Sequence, residues 1–99
     1  SRGGCPIMNT AIESDDTMPF LKTEVKKSFK AWSDKIARII DEGKSKNEIL
    51  DYVNPSDYSY LFIMLIEGGI LISKTTDDRN HLFNALDRIT KIIDTELIK

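Results

Sequence analysis

The stretch from Asn54 to Lys74 constrains this chain more than any other. It opens on Asn54-Pro55, an N-cap residue followed by a proline suited to the first helical turn. On a helical wheel Leu61, Phe62, Met64, Leu65, Ile66, Ile70, Leu71 and Ile72 then cover most of the circumference. Only a thin line of Ser56, Tyr60, Glu67 and Lys74 is polar. A helix apolar nearly all round has to be covered on more than one side, and a chain of 99 residues has few helices to spend on it. The pattern predicts one helical domain whose central helix finds part of its cover outside the chain.

The rest of the chain is helical in period as well. From Phe20 to Glu42, Leu21, Val25, Phe29, Trp32, Ile36, Ile39 and Ile40 recur at spacings of three and four, while Lys22, Lys26, Lys30, Ser33 and Asp34 fall on the opposite, wet face. Thr17 is placed to cap this helix, Pro19 suits its first turn, and Gly43 stands where a left-handed C-terminal residue would sit. A shorter helix is expected over Pro6 to Ser14. Lys44 to Val53 reads as a loop with one helical turn; a strand there would lack a partner. Asp77 or Asp78 caps a last helix, about Arg79 to Ile98, whose apolar residues Leu82, Phe83, Ala85, Leu86, Ile89, Ile92, Ile93 and Leu97 spread over half its wheel.

Composition narrows the function classes. With 14 basic and 16 acidic residues the net charge is −2, and the pI is near 5.3. Mixed charges of that balance give no bulk field for gripping a phosphate backbone. A single cysteine, Cys5, excludes an internal disulfide and gives no sign of an oxidising compartment. No run of about 18 uncharged apolar residues exists to span a bilayer, and the first residues lack the apolar core of a signal peptide. The expectation is cytoplasmic.

The motifs fall in a familiar order. Gly4-Cys5-Pro6-Ile7-Met8-Asn9-Thr10-Ala11, followed by Glu13, resembles the Gly-Cys-Pro-x-x-Asn-x-Ala stretch in the regulatory domain of TetR-family (tetracycline-repressor-like) transcriptional regulators. A long helix with Trp32, then Gly43, Glu48-Ile49 and Val53-Asn54-Pro55, continues the likeness. Leu65-Ile66-Glu67-Gly68-Gly69-Ile70-Leu71 is similar to the Leu-x-Glu-Gly-x-x-x-Leu core of that family's penultimate helix. The resemblance covers nearly the whole chain. It implies an all-α, antiparallel helical domain that forms a four-helix bundle between two subunits. It also implies that the chain is a C-terminal regulatory fragment lacking the N-terminal helix-turn-helix domain, so operator DNA would be reached only through that missing part. The implied role is the ligand-sensing and dimerisation domain of a bacterial repressor whose operator affinity changes on effector binding. A free-standing helical protein–protein interaction module is the alternative.

Under that resemblance a homodimer seam is expected to use Leu61, Leu65, Gly68, Gly69, Ile72, Leu82, Leu86, Ile89 and Ile93. A small apolar effector is expected between the two long helices, near Asn9, Phe29, Trp32, Ile36 and Met64. Phe29, Trp32 and Ile36 serve equally well as core, and Asn9 as a structural amide. The seven-residue spacing of Tyr60, Glu67 and Lys74 favours an exposed or interface-edge Glu67; burial without a partner would be costly. No enzyme is expected, and no cofactor or metal: the sequence has no phosphate loop and no H-E-x-x-H pair, and Cys5 with the distant His81 makes no ligand set. His81 reads as a solvent-side residue. Asp15-Asp16 and Asp77-Asp78 precede helices, where negative charge is favourable without any chemistry.

Overall fold

A computed structural model describes residues 19–99. They form three α-helices, α1 (Pro19–Ser45), α2 (Ser56–Thr76) and α3 (Asn80–Ile92), and α3 runs on into a π-helical turn, Ile93–Leu97. Among the described residues there is no strand, and the class is all-α. The short helix expected over Pro6 to Ser14, with Cys5, Asn9 and the Thr17 cap, lies outside them.

α2 packs against both α1 and α3, which makes it the central helix. By length and composition it could cross a bilayer, but here it carries two protein neighbours and a buried carboxylate. Its start is fixed as the sequence suggests: the Asn54 side-chain oxygen accepts from the Ser56 amide at 3.2 Å and the Ser56 hydroxyl at 2.9 Å. It ends at Asp77, which takes a left-handed conformation (φ 54°). Asp78 then starts α3, its carboxylate accepting from the Asn80 amide at 3.0 Å.

Ser73 stitches this corner. Its carbonyl accepts from the amides of Asp77 and Asp78, and its hydroxyl oxygen accepts from the Leu82 amide at 2.9 Å. Four residues earlier, Gly69 lets α3 come in close. A Cβ there would stand 3.1 Å from the Ala85 Cβ and 3.2 Å from the Leu82 Cα.

α1 differs from expectation in four ways. It begins at Pro19 and continues through Gly43 to Ser45. The left-handed residue after it is Asn47 (φ 63°), while Gly43 is used for contact: a Cβ there would lie 2.5 Å from Ile49 Cδ1. Ile39, placed on the core stripe by its spacing, is 61% exposed, because α2 covers only part of so wide an arc. Ser33, assigned to the wet face, is buried. Its hydroxyl meets that of Ser59 on α2 at 2.8 Å, so two small polar side chains satisfy each other at the seam. Replacing one should leave the other stranded: Ser33→Ala is expected to cost about 1–3 kcal/mol. The Ser33→Ala/Ser59→Ala double variant should recover most of that loss, as urea unfolding of the four proteins at one concentration would show. Elsewhere on α1 the pairs Lys27–Glu24 (3.3 Å) and Lys30–Asp34 (3.2 Å) are exposed and contribute little.

Among the described residues one buried hydrophobic cluster gathers at the end of α1, apart from the buried Val25, Phe62 and Ile63. Ile40, Val53 and Leu97 are its buried members, ringed by half-buried Ile36, Ile49, Leu50, Tyr58, Ile92 and Ile93. The last residues reach it because the helix changes pitch. Instead of continuing as an α-helix to Ile98, the chain makes a π-turn closed by the Ile98 amide on the Ile93 carbonyl (3.0 Å). The wider turn aims Leu97 inward, and the segment then pairs with the loop. Ile49 and Ile98 form an antiparallel bridge, the Leu50 amide donates to the Leu97 carbonyl at 2.8 Å, and the Lys99 amide donates to the Glu48 carbonyl at 3.1 Å. The partner that a strand at Glu48 to Val53 lacked on paper is thus the chain's own end. Lys44 Nζ donates to the Val53 carbonyl (2.8 Å) and closes the loop from the other side.

Tyr58 adds a pH-dependent tie, its hydroxyl donating to Glu96 Oε1 at 2.9 Å. Its pKa is raised above the usual value near 10, first by that hydrogen bond, then by burial, then by the negative charges of Glu96 and Asp57. The folded state therefore holds the phenolic proton more tightly than the unfolded chain. This contribution is complete below about pH 10 and is lost as pH rises through the raised value. Tyr58→Phe is expected to remove that alkaline component from unfolding midpoints measured between about pH 8 and 11.

Candidate functional site

The helical arrangement leaves one flank of α2 bare. Tyr60, Met64 and Ile72 are exposed there, with half-buried Leu61 and Leu65 beside them. Gly68 stands at the middle of the stripe, and a Cβ on it would meet nothing within 4 Å. The two adjacent glycines therefore have different duties, since their side-chain positions lie about 100° apart. Gly69 serves the contact with α3 inside the chain, whereas Gly68 opens outward. Met64, expected to wall an effector pocket, belongs to this open flank instead and is 62% exposed. Its place on the wheel, a turn from Gly68 and away from Ser59 and Ile63, is the reason.

α3 has no buried residue at all. Leu82 and Ala85 face Gly69, Ile89 and Ile93 are half-buried, and Phe83 and Leu86 are exposed. Of the residues expected at a seam between subunits, Gly68, Ile72 and Leu86 are open to a partner, while Gly69 and Leu82 are engaged with each other.

A cleft of about 360 Å³ opens where α2 turns into α3. Ile70, Leu82 and the buried Ser73 line it, with Lys74, Asp77 and Arg79 around them. Of the residues expected for an effector, the described ones, Phe29, Trp32, Ile36 and Met64, do not line it. Phe29, Trp32 and Ile36 are half-buried on α1. The cleft escaped sequence reading because it depends on the tight corner made by Asp77 and Ser73, and Asp77 offered only a cap signal. His81 is exposed as expected, 3.9 Å from the Asp78 carboxylate. Among the described residues no group of three His, Cys, Asp or Glu side chains could hold a metal ion.

Glu67 departs furthest from the reading of its sequence. It is only 3% exposed, and its Oε2 is buried without a hydrogen-bond partner. Tyr60 and Lys74 share its line on the wheel and are exposed, but they stand near the ends of α2. At mid-helix the same line is covered. Angular position on a wheel carries no information about height along the axis.

These features define an all-α domain built on a half-covered central helix. The sequence matches the model of the tetracyclin repressor-like C-terminal domain over residues 1–89. The fold is similar to that of a solved TetR transcriptional regulator from Chloroflexus aurantiacus J-10-FL, with a TM-score of 0.92 and 30% identity, covering 96% of this chain and 48% of that one. It is also similar to a TetR-family transcriptional regulator from Cytophaga hutchinsonii, with a TM-score of 0.87 and 28% identity over 92% of this chain and 46% of that one. No curated protein matches the sequence. The chain belongs to the tetracyclin repressor-like C-terminal domain family. It spans about half the length of the two solved regulators.

Proposed function

We propose that this domain pairs with a second copy of itself and takes up a small, largely apolar molecule. In a full-length regulator, that uptake would alter the operator affinity of a DNA-binding domain. The observation carrying the proposal is the bare flank of α2, where Tyr60, Met64 and Ile72 surround an unobstructed Gly68. Apolar surface of this kind on a helix that is already central is what an isologous, two-fold contact would cover. A backbone exposed at Gly68 lets two such helices approach closely. Support for effector uptake is the family membership and the α2–α3 cleft, whose volume lies within the range of small-molecule sites. An effector would act by binding one arrangement of the helices better than another, since only differential affinity moves such an equilibrium.

Sedimentation equilibrium of the chain at micromolar concentration tests the pairing. The expected mass is twice 11.3 kDa; a species of 11.3 kDa across that range would overturn it.

A further inference from the structure

We infer that the molecule taken up by this domain carries an anionic group, and that the cleft at the turn from α2 into α3 receives it through Lys74, Arg79 and the Ser73 hydroxyl. The inference rests on the effector reading above and narrows it to a ligand class. Ile70 and Leu82 supply the apolar lining of the cleft; the polar lining comes from Ser73, which is 9% exposed, and from the exposed Lys74, Asp77 and Arg79. Among the described residues no carboxylate pairs with Lys74 or Arg79, the neighbouring Asp77 included. The Ser73 oxygen already accepts from the Leu82 amide at 2.9 Å, and among the described residues no acceptor takes its proton. What this buried hydroxyl has left to offer at the cleft is a donor.

Lysine and arginine donate and never accept, so three of the four polar side chains around the cleft present donors, two of them charged. Lys74 has a local reason for its place: it stands in the last turn of α2, where the helix end favours a cation. Arg79 has none. It occupies the N-cap position of α3, the positive end of that helix, and the first turn of α3 contains no acidic residue. Asp78 next to it is engaged by the Asn80 amide and does not line the cleft. A negative group on a ligand would relieve Arg79 and the helix end together, with Lys74 adding to the same field. An alcohol would take the Ser73 proton but bring no charge to the two cations, and an amine would meet like charges. Asp77 opposes the anion, one carboxylate against two cations, and so tunes the affinity downward. With Ile70 and Leu82 to hold hydrocarbon, the cleft selects amphiphilic anions over alcohols and amines of the same size.

Three probes of equal chain length test this on the ¹⁵N-labelled 99-residue chain at pH 7: octanoate, 1-octanol and octylammonium. The Leu82 amide resonance is the reporter, because that amide donates to Ser73 Oγ in the cleft. Octanoate is expected to move it with a dissociation constant about tenfold below that of 1-octanol, since charge-assisted bonds outdo neutral ones. Octylammonium is expected to bind more weakly than either. The double substitution Lys74→Gln/Arg79→Gln changes exposed side chains only and should bring octanoate to the 1-octanol value. Asp77→Asn keeps a residue that tolerates the left-handed backbone, removes the opposing charge, and should tighten octanoate. An octanoate advantage that survives the double substitution, or octanoate binding that leaves Leu82 unmoved, overturns the inference. If octanoate and 1-octanol move Leu82 with equal affinity, or octylammonium binds best, uptake of small apolar molecules stands and the anionic class falls. If no probe moves Leu82, both fall. Should the double variant fail to fold, salt supplies a second readout on the unsubstituted chain. Raising sodium chloride from about 0.05 to about 0.5 M should weaken octanoate relative to 1-octanol, and an unchanged ratio overturns the proposal.

Discussion

Leu97→Ala is expected to lower the unfolding free energy by about 2–5 kcal/mol, a large share of what a domain of this size possesses. Leu97 is 2% exposed and sits with Ile40 and Val53 at the centre of the buried cluster. Three segments meet on it: the end of α1, the loop that follows, and the π-turn. Truncation removes apolar atoms and leaves a cavity that the backbone cannot easily close, because Leu97 is pinned at its own carbonyl by Leu50. The loss should appear as a lower urea midpoint with an unchanged slope. A change below about 1 kcal/mol, the range of an ordinary surface substitution, would mean that the C-terminal segment is not part of the core.

Gly68→Glu should divide association from folding. Within one protomer the new side chain meets no atom within 4 Å of its Cβ, so the monomer should fold as before, and replacing a mid-helix glycine favours the helix slightly. Across a two-fold contact centred on this flank, two introduced carboxylates would face each other in apolar surroundings. Like charges so placed cost several kcal/mol, roughly a 100-fold or greater rise in the dimer dissociation constant. The expected result is a chain of unchanged helicity that sediments as a monomer at concentrations where the parent is paired. Unaltered pairing would move the interface away from Gly68. Gly69→Val makes an internal contrast: the added bulk drives into Leu82 and Ala85, and stability is expected to fall by about 1–3 kcal/mol whatever the association state.

The three long helices were legible because hydrophobic period, Asn54-Pro55 and the Asp77-Asp78 pair each report on local geometry. The wide apolar arc of α2 likewise announced the bare flank. Other features depend on what lies across from a residue, which no wheel contains. Ser33 looked wet because serine is polar, yet Ser59 sits opposite and makes it a seam residue. Gly68 and Gly69 read as a pair, although a step of about 100° sends one to α3 and the other outward. Glu67 matched Tyr60 and Lys74 in angle but not in depth. The corner cleft and the π-turn arise from backbone choices at Asp77 and Ile93 that the neighbouring side chains do not signal.

Ser73 has a mechanical consequence. By engaging the last turn of α2 and the first turn of α3 through both its carbonyl and its hydroxyl, it turns a hairpin into a bracket. A wedge driven between α1 and α2 could then not be absorbed by bending at the corner. It would swing both rods together, so that a shift of α2 would be carried as a tilt to the far end of α3.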